Sequence, residues 1–132
     1  MTYALSAPLQ SAVFSQLSAA AGLNGVAIFD AAPTGTPPEI YVALGPEDVR
    51  DRSDKTASGA QHRFVISVVG NGGGFHALKA VAAEVEAAVA NGLSLSRGRV
   101  AFLRFERAVA RRDRNGTRRR VEMTFRAFLD DT

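Results

Sequence analysis

Six arginines crowd one short stretch near the C-terminus: Arg111, Arg112, Arg114, Arg118, Arg119 and Arg120. A guanidinium is planar, permanently charged and able to grip a carboxylate or a phosphate through two parallel hydrogen bonds. Elsewhere the chain carries an acidic run in which Asp48, Asp51 and Asp54 recur at every third position. Two chemistries follow. The arginines can hold nucleic-acid phosphates, as a basic β-ribbon does in a major groove, or they can hold the carboxylates of a sister copy, so that copies join head to tail. Aromatic residues are 8% of the chain and tryptophan is absent, which leaves little to stack on single-stranded bases. Repulsion among the clustered guanidinia calls for a compensating partner. Asp48, Asp51 and Asp54 supply one from within the sequence, and with the six arginines they are the candidate subunit-interface residues.

Catalytic, cofactor and metal chemistry find no comparable set. There is no cysteine, which excludes a disulfide scaffold, a thiolate metal site and a thiol nucleophile. His62 and His76 are the only histidines and form no H-x-x-x-H pair, whereas a metal needs three or four converging ligands. No G-x-S-x-G elbow occurs, and the carboxylates lie in a polar segment with nothing to raise their pKa. Gly70 to Gly74 falls where phosphate-cradling loops occur, but the dinucleotide fingerprint needs glycine at Phe75 and no G-K-[ST] follows. The segment reads as a βα connection with Asn71 as helix cap, His62 as a partly buried strand residue and His76 as a solvent-side residue of the first helical turn. The sequence therefore predicts no enzyme, no cofactor and no metal. Asn115-Gly116-Thr117 matches a glycosylation acceptor in form, but without a secretion signal it is turn chemistry.

These residues are positioned by a short series of elements. Ser6 as cap, Pro8 in the opening turn, and Leu9, Val13, Leu17 and Ala20 at helical spacing predict a first helix closed by Gly22 and Gly25. Val26 to Phe29 reads as a short buried strand, and Ala31 to Pro38 as a proline-rich loop. Ile40, Val42 and Leu44 alternate as a second strand stopped by Gly45-Pro46. Glu47 to Ala60 is polar and reads as an exposed, flexible excursion. His62, Phe64, Ile66 and Val68 mark a strand that is apolar on both faces and therefore central. Phe75, Leu78, Val81, Val85 and Val89 give a helical stripe ending at Asn91-Gly92.

The last third predicts a long hairpin from Val100 to Leu129. Aligning its apolar faces pairs Phe105 with Phe125 and Val109 with Val121, which demands an odd loop, and a three-residue loop with Gly116 in the left-handed position satisfies it. Its tip, Arg111 to Arg120, should project beyond the core. The whole predicts one α+β domain over residues 1–132, a mixed and mostly antiparallel sheet with two helices.

A chain of 132 residues with 46% hydrophobic and 22% charged residues suits a single folded domain. Its net charge of +3 hides a split. Residues 97–126 hold eleven arginines against three acids, a net +8, while the remainder holds five basic and ten acidic residues, a net −5. The apolar stretches are too short for a membrane span, and the first basic residue, Arg50, comes too late for a signal peptide. A soluble, cytoplasmically made protein without a membrane partner is expected.

Along nearly its full length the chain resembles the tail terminator (tail completion) proteins of long-tailed phages and gene transfer agents. The likeness lies in the helix Leu5 to Ala20, the strand Val26-Ala27-Ile28-Phe29 with terminal Asp30, and the proline-rich loop into Pro38-Glu39-Ile40-Tyr41-Val42-Ala43-Leu44-Gly45. That last run is similar to a Pro-Tyr-Val-x-Leu-Gly stretch, with Glu39-Ile40 where Pro-Tyr is usual. Gln61 to Val68 after a variable segment, the glycine-rich step into the helix Phe75 to Val89, and the closing hairpin complete it. The resemblance implies a homo-oligomeric ring, usually hexameric, that caps the head-proximal end of the tail tube and stops its polymerisation. It implies the tail tube protein and a head-completion or neck protein as partners, with DNA passing through the lumen without specific binding. It implies assembly in the bacterial cytoplasm into a virion or phage-like particle, and brings no cofactor or catalytic residue. The alternative is a small nucleic-acid-binding module using the arginine-rich hairpin.

Overall fold

The computed structural model describes residues 3–31, 33–55, 58–71, 74–113 and 117–131. The chain folds as α1 (Ser6–Ala19), a 3-10 turn (Ala21–Leu23), β1 (Ala27–Phe29), β2 (Ile40–Asp51), β3 (Gly59–Asn71), α2 (His76–Ala90), β4 (Arg99–Arg112) and β5 (Arg118–Asp130). One five-stranded sheet has the order β1-β2-β3-β5-β4. β1 runs parallel to β2 and every other pairing is antiparallel. This is the α+β architecture that the element order predicts.

Both helices pack on one face of the sheet. α1 buries Leu9, Val13 and Leu17, joined by Leu5 just before it. α2 buries Leu78, Ala82, Val85, Ala88 and Val89. They meet Phe64, Ile66 and Val68 of β3 and Val121, Met123, Phe125, Ala127 and Leu129 of β5. Each large side chain so removed from water contributes about 1.5–3 kcal/mol before entropy is set against it. Gly70 lets α2 come this close, because a Cβ there would stand 2.7 Å from Leu78 Cδ2.

Several local expectations change. Ser6 does not cap α1. Leu5 takes the cap position without a side-chain bond, and the Ser6 hydroxyl instead donates to Glu47 Oε1. Phe75, not Asn71, occupies the cap position of α2, and Asn71 ends β3. His62 is fully buried rather than partly so.

Gly45-Pro46 does not stop β2, and Glu47 to Ala60 is not an excursion. The register shifts between Leu44↔Ile66 and Glu47↔Phe64 and then runs on to Asp51↔Ala60. β1 pairs only with Tyr41 to Ala43, so Pro46 sits on an open edge where its missing N–H costs nothing. Only residues 52–58 connect the two strands.

The C-terminal hairpin forms, and Phe105 faces Phe125 as aligned. Beyond it a bulge between Phe105 and Arg107 places Ala110, not Val109, opposite Val121. The bulge keeps Arg107 off the apolar face and hands that face to Ala108 and Ala110. It also makes the loop even, because Asp113 N–H donates to Arg118 O at 2.8 Å. Gly116 and its turn lie outside the described residues. Over its described residues the hairpin does not project, since Arg118, Arg119 and Arg120 still pair with Asn71, Gly70 and Val69 of β3.

Candidate assembly surface

The structure gathers the predicted arginines at one end of β4 and β5, and most of them are engaged there. Arg111 Nε donates to Glu122 Oε1 at 3.1 Å, and Arg120 reaches both oxygens of Asp113 at 3.0 and 3.4 Å. Arg118 donates to the Tyr41 hydroxyl at 3.4 Å, and the Arg119 guanidinium lies 5.7 Å from the Phe75 ring centroid. Hydrogen bonding to Glu122 raises the Arg111 pKa further. Much of the compensation that the cluster requires is thus intramolecular. Arg112 is exposed and has no ion pair among the described residues, and Arg114 lies outside them.

The acidic residues stand across the sheet. Asp48 is exposed beside Arg50, whose Nε lies 3.1 Å from Oδ1. Asp51 accepts from Ser53 N and Oγ at 3.1 and 2.7 Å, which holds its carboxyl below the usual range. Asp54 is exposed on the following loop. Asp48 and Asp51 occupy the part of β2 beyond β1, whose outer side no strand covers among the described residues. β4 is the opposite edge and is equally open along all fourteen residues. Arg111 and Arg112 of the cluster therefore lie on the edge opposite the acidic residues and cannot reach them within one subunit.

Register adds residues that sequence reasoning missed. On the face away from the helices, Asp48, Arg63, Arg126 and Arg104 form one row across four strands. Glu106, freed by the bulge, joins its middle. Arg63 donates to both Glu106 oxygens at 2.7 and 3.1 Å, and Arg126 lies 3.6 Å away. The hydrogen bond from Arg63, ahead of the neighbouring positive charges, lowers the Glu106 pKa. The row ends in Arg104 at the β4 edge and Asp48 at the β2 edge. Arg104 and Arg107 are exposed and have no ion pair among the described residues. Their signal in the sequence was an arginine on each side of Phe105, legible as edge charge once β4 is known to be outermost.

Among the described residues no three acidic or histidine side chains converge as a metal site, and no helix is long and apolar enough to cross a membrane. Among the described residues the buried groups of this kind are His62, whose Nδ1 lies 2.9 Å from Glu47 Oε2, and Asp130, which accepts from Arg99 at 3.0 Å.

Comparison with known proteins supplies the identity that surface chemistry alone does not. Among solved structures, a chain of the virion of a native gene transfer agent particle is 49% identical, with a TM-score of 0.89, over 98% of this chain and 99% of that one. Curated protein sequences give no match. The family model for tail completion protein gp17 matches residues 11–130, from within α1 to the end of β5, and on that match the chain belongs to the tail completion protein gp17 family.

Proposed function

We propose that the protein forms a closed ring of identical subunits that caps the head-proximal end of a phage-like tail tube, ends its polymerisation and joins it to the head. The family and the particle match make it a structural component of a virion or phage-like particle; the ring, the termination of the tube and the joining role are the step beyond. A structural part of this kind works by shape and contact and carries no catalytic group.

The observation that supports the ring is the charge of the two open sheet edges. Arg104, Arg107 and Arg112, none in an ion pair among the described residues, line β4, while Asp48 and Asp51 line β2 with Asp54 beyond. Opposite charge on opposite edges is the arrangement that a heterologous contact needs, and such a contact closes when its rotation divides a full turn. Exposed pairs contribute only about 0–1 kcal/mol each, so these charges set register rather than affinity. Nucleic-acid binding by the hairpin has less to draw on, because Arg111, Arg118, Arg119 and Arg120 are already held within the chain.

The test is assembly with charge reversal. Particles made without the protein should carry tubes of scattered, overgrown length in micrographs, and uniform tubes would refute termination. Arg104→Glu with Arg112→Glu should reduce incorporation, and Asp48→Arg with Asp51→Arg in the same chain should restore part of it. A ring that forms equally well in every variant removes the edge charges from the reading.

A further inference from the structure

The sheet flank beyond α2 is bare on its helix side. Between α2 and β4 runs a trough of about 400 Å³, walled by Lys79 and Glu86 of the helix and by Phe105, Ala108 and Ala110 of the strand, with Met123 in its floor. Phe105 is 41% exposed although its ring packs edge-on against Phe125 at 5.8 Å. An apolar hollow bordered by charge is the anatomy of a contact surface.

The opposite flank presents the converse shape. No charged residue precedes Asp30 in the sequence, so the outer side of α1 is neutral, and Phe14 stands on it 36% exposed. Gln10, one turn earlier on the same side, lines a pocket with Leu44 and Gly45 of β2. Gln16 on the other side donates to Ala88 O of α2 at 2.9 Å. Phe14 therefore faces away from α2, over the β2 edge, while the trough opens at the β4 edge.

The two features share a level in the sheet, for the cross-strand row from Leu44 runs through Ile66 and Met123 to Ala108. Their borders are complementary as well. Asp30, which follows β1 on the α1 side, is exposed without an ion pair among the described residues, as is Lys79 in the helix wall of the trough.

We propose that Phe14 and the charge-free flank of α1 of one copy seat in the α2–β4 trough of the next copy. This rests on the ring reading and gives the ring its apolar contact, with Asp30 brought towards Lys79. Burial of an aromatic anchor in a partner's hollow is what concentrates binding energy in such interfaces.

The absence of cysteine makes the test direct. A Phe14→Cys chain and an Ala108→Cys chain are mixed under oxidising conditions, free at high concentration and in assembled particles. Disulfide-linked dimers should form only in the mixture, and a chain carrying both substitutions should give a ladder of linked oligomers. Phe14→Arg should raise the dissociation constant of the assembly about tenfold or more. Both positions are exposed, and circular dichroism verifies that each variant folds. If native mass spectrometry shows a wild-type ring while no mixed disulfide forms, or while either single variant links to itself, this contact is wrong and the ring stands. If copies are never adjacent, in solution or in particles, the ring falls and the contact with it.

Discussion

Glu47 and Asp48 are neighbours in the sequence, and the structure gives them opposite work, which a pair of substitutions separates. Glu47 Oε2 lies 2.9 Å from Nδ1 of His62, a side chain with no exposure, and Oε1 accepts from the Ser6 hydroxyl. His62 Nε2 is buried without a partner among the described residues. Glu47→Ala would thus strip a buried imidazole of its one hydrogen bond and free the start of α1 from β2. An orphaned buried polar group costs about 1–3 kcal/mol and the lost serine bond about 1 kcal/mol more, so the loss should be about 2–4 kcal/mol. For a domain of this size that lowers Tm by about 8–15 °C. Asp48→Ala, on an exposed side chain, should stay within about 0.5 kcal/mol of wild type. The assay is thermal unfolding followed by circular dichroism or calorimetry. Removing the orphan should then repair the damage, because deleting both members of a buried polar pair is far milder than deleting one. His62→Leu added to Glu47→Ala should recover at least half of the lost Tm. If Glu47→Ala melts with the wild type, or if His62→Leu deepens the loss, the buried pair does not hold α1 to the sheet as argued.

Two more outcomes follow from contacts in the sheet. Glu106 has its pKa lowered chiefly by hydrogen bonding to Arg63, so its contribution to stability is present above the ordinary carboxylate pKa and is lost as pH falls through the lowered one; Glu106→Gln should flatten that part of the acid limb of a stability–pH curve, and an unchanged limb would refute the bond. Gly70→Ala would drive a methyl to 2.7 Å from Leu78 Cδ2, an overpacking that should cost about 1–3 kcal/mol in a denaturant titration, and a neutral result would mean that α2 is not held at this distance.

The sequence was readable where one periodicity had one physical outcome. The stripe Leu78, Val85 and Val89 buries as a helix, and Val121 to Leu129 alternates with every second residue in the core. It was misleading where two structures suit one pattern. Ala108-Val109-Ala110 is compatible with either strand register, and only the bulge at Glu106, fixed by Arg63 and Arg126 on other strands, decides between them. Gly45-Pro46 has the chemistry of a strand end, yet β1 stops at the level of Ala43, so the proline meets no ladder it could break. The candidate arginines were found by type, but their engagement with Glu122, Asp113, Tyr41 and Phe75 depends on pairings between distant segments. Composition cannot encode which of several cations ends at an open edge, and Arg104 and Arg107 were missed for that reason.

The uncovered length of β4 also governs what a lone subunit avoids. A fourteen-residue strand whose outer side pairs with no other among the described residues invites a twin, and the simplest twin is β4 of another copy related by a two-fold axis. Such a pairing would crowd Arg104, Arg107, Arg111 and Arg112 against their own counterparts, where like charges repel. The cationic rim therefore acts as a gatekeeper against a dead-end dimer, and holds the edge in reserve for a surface of the other sign.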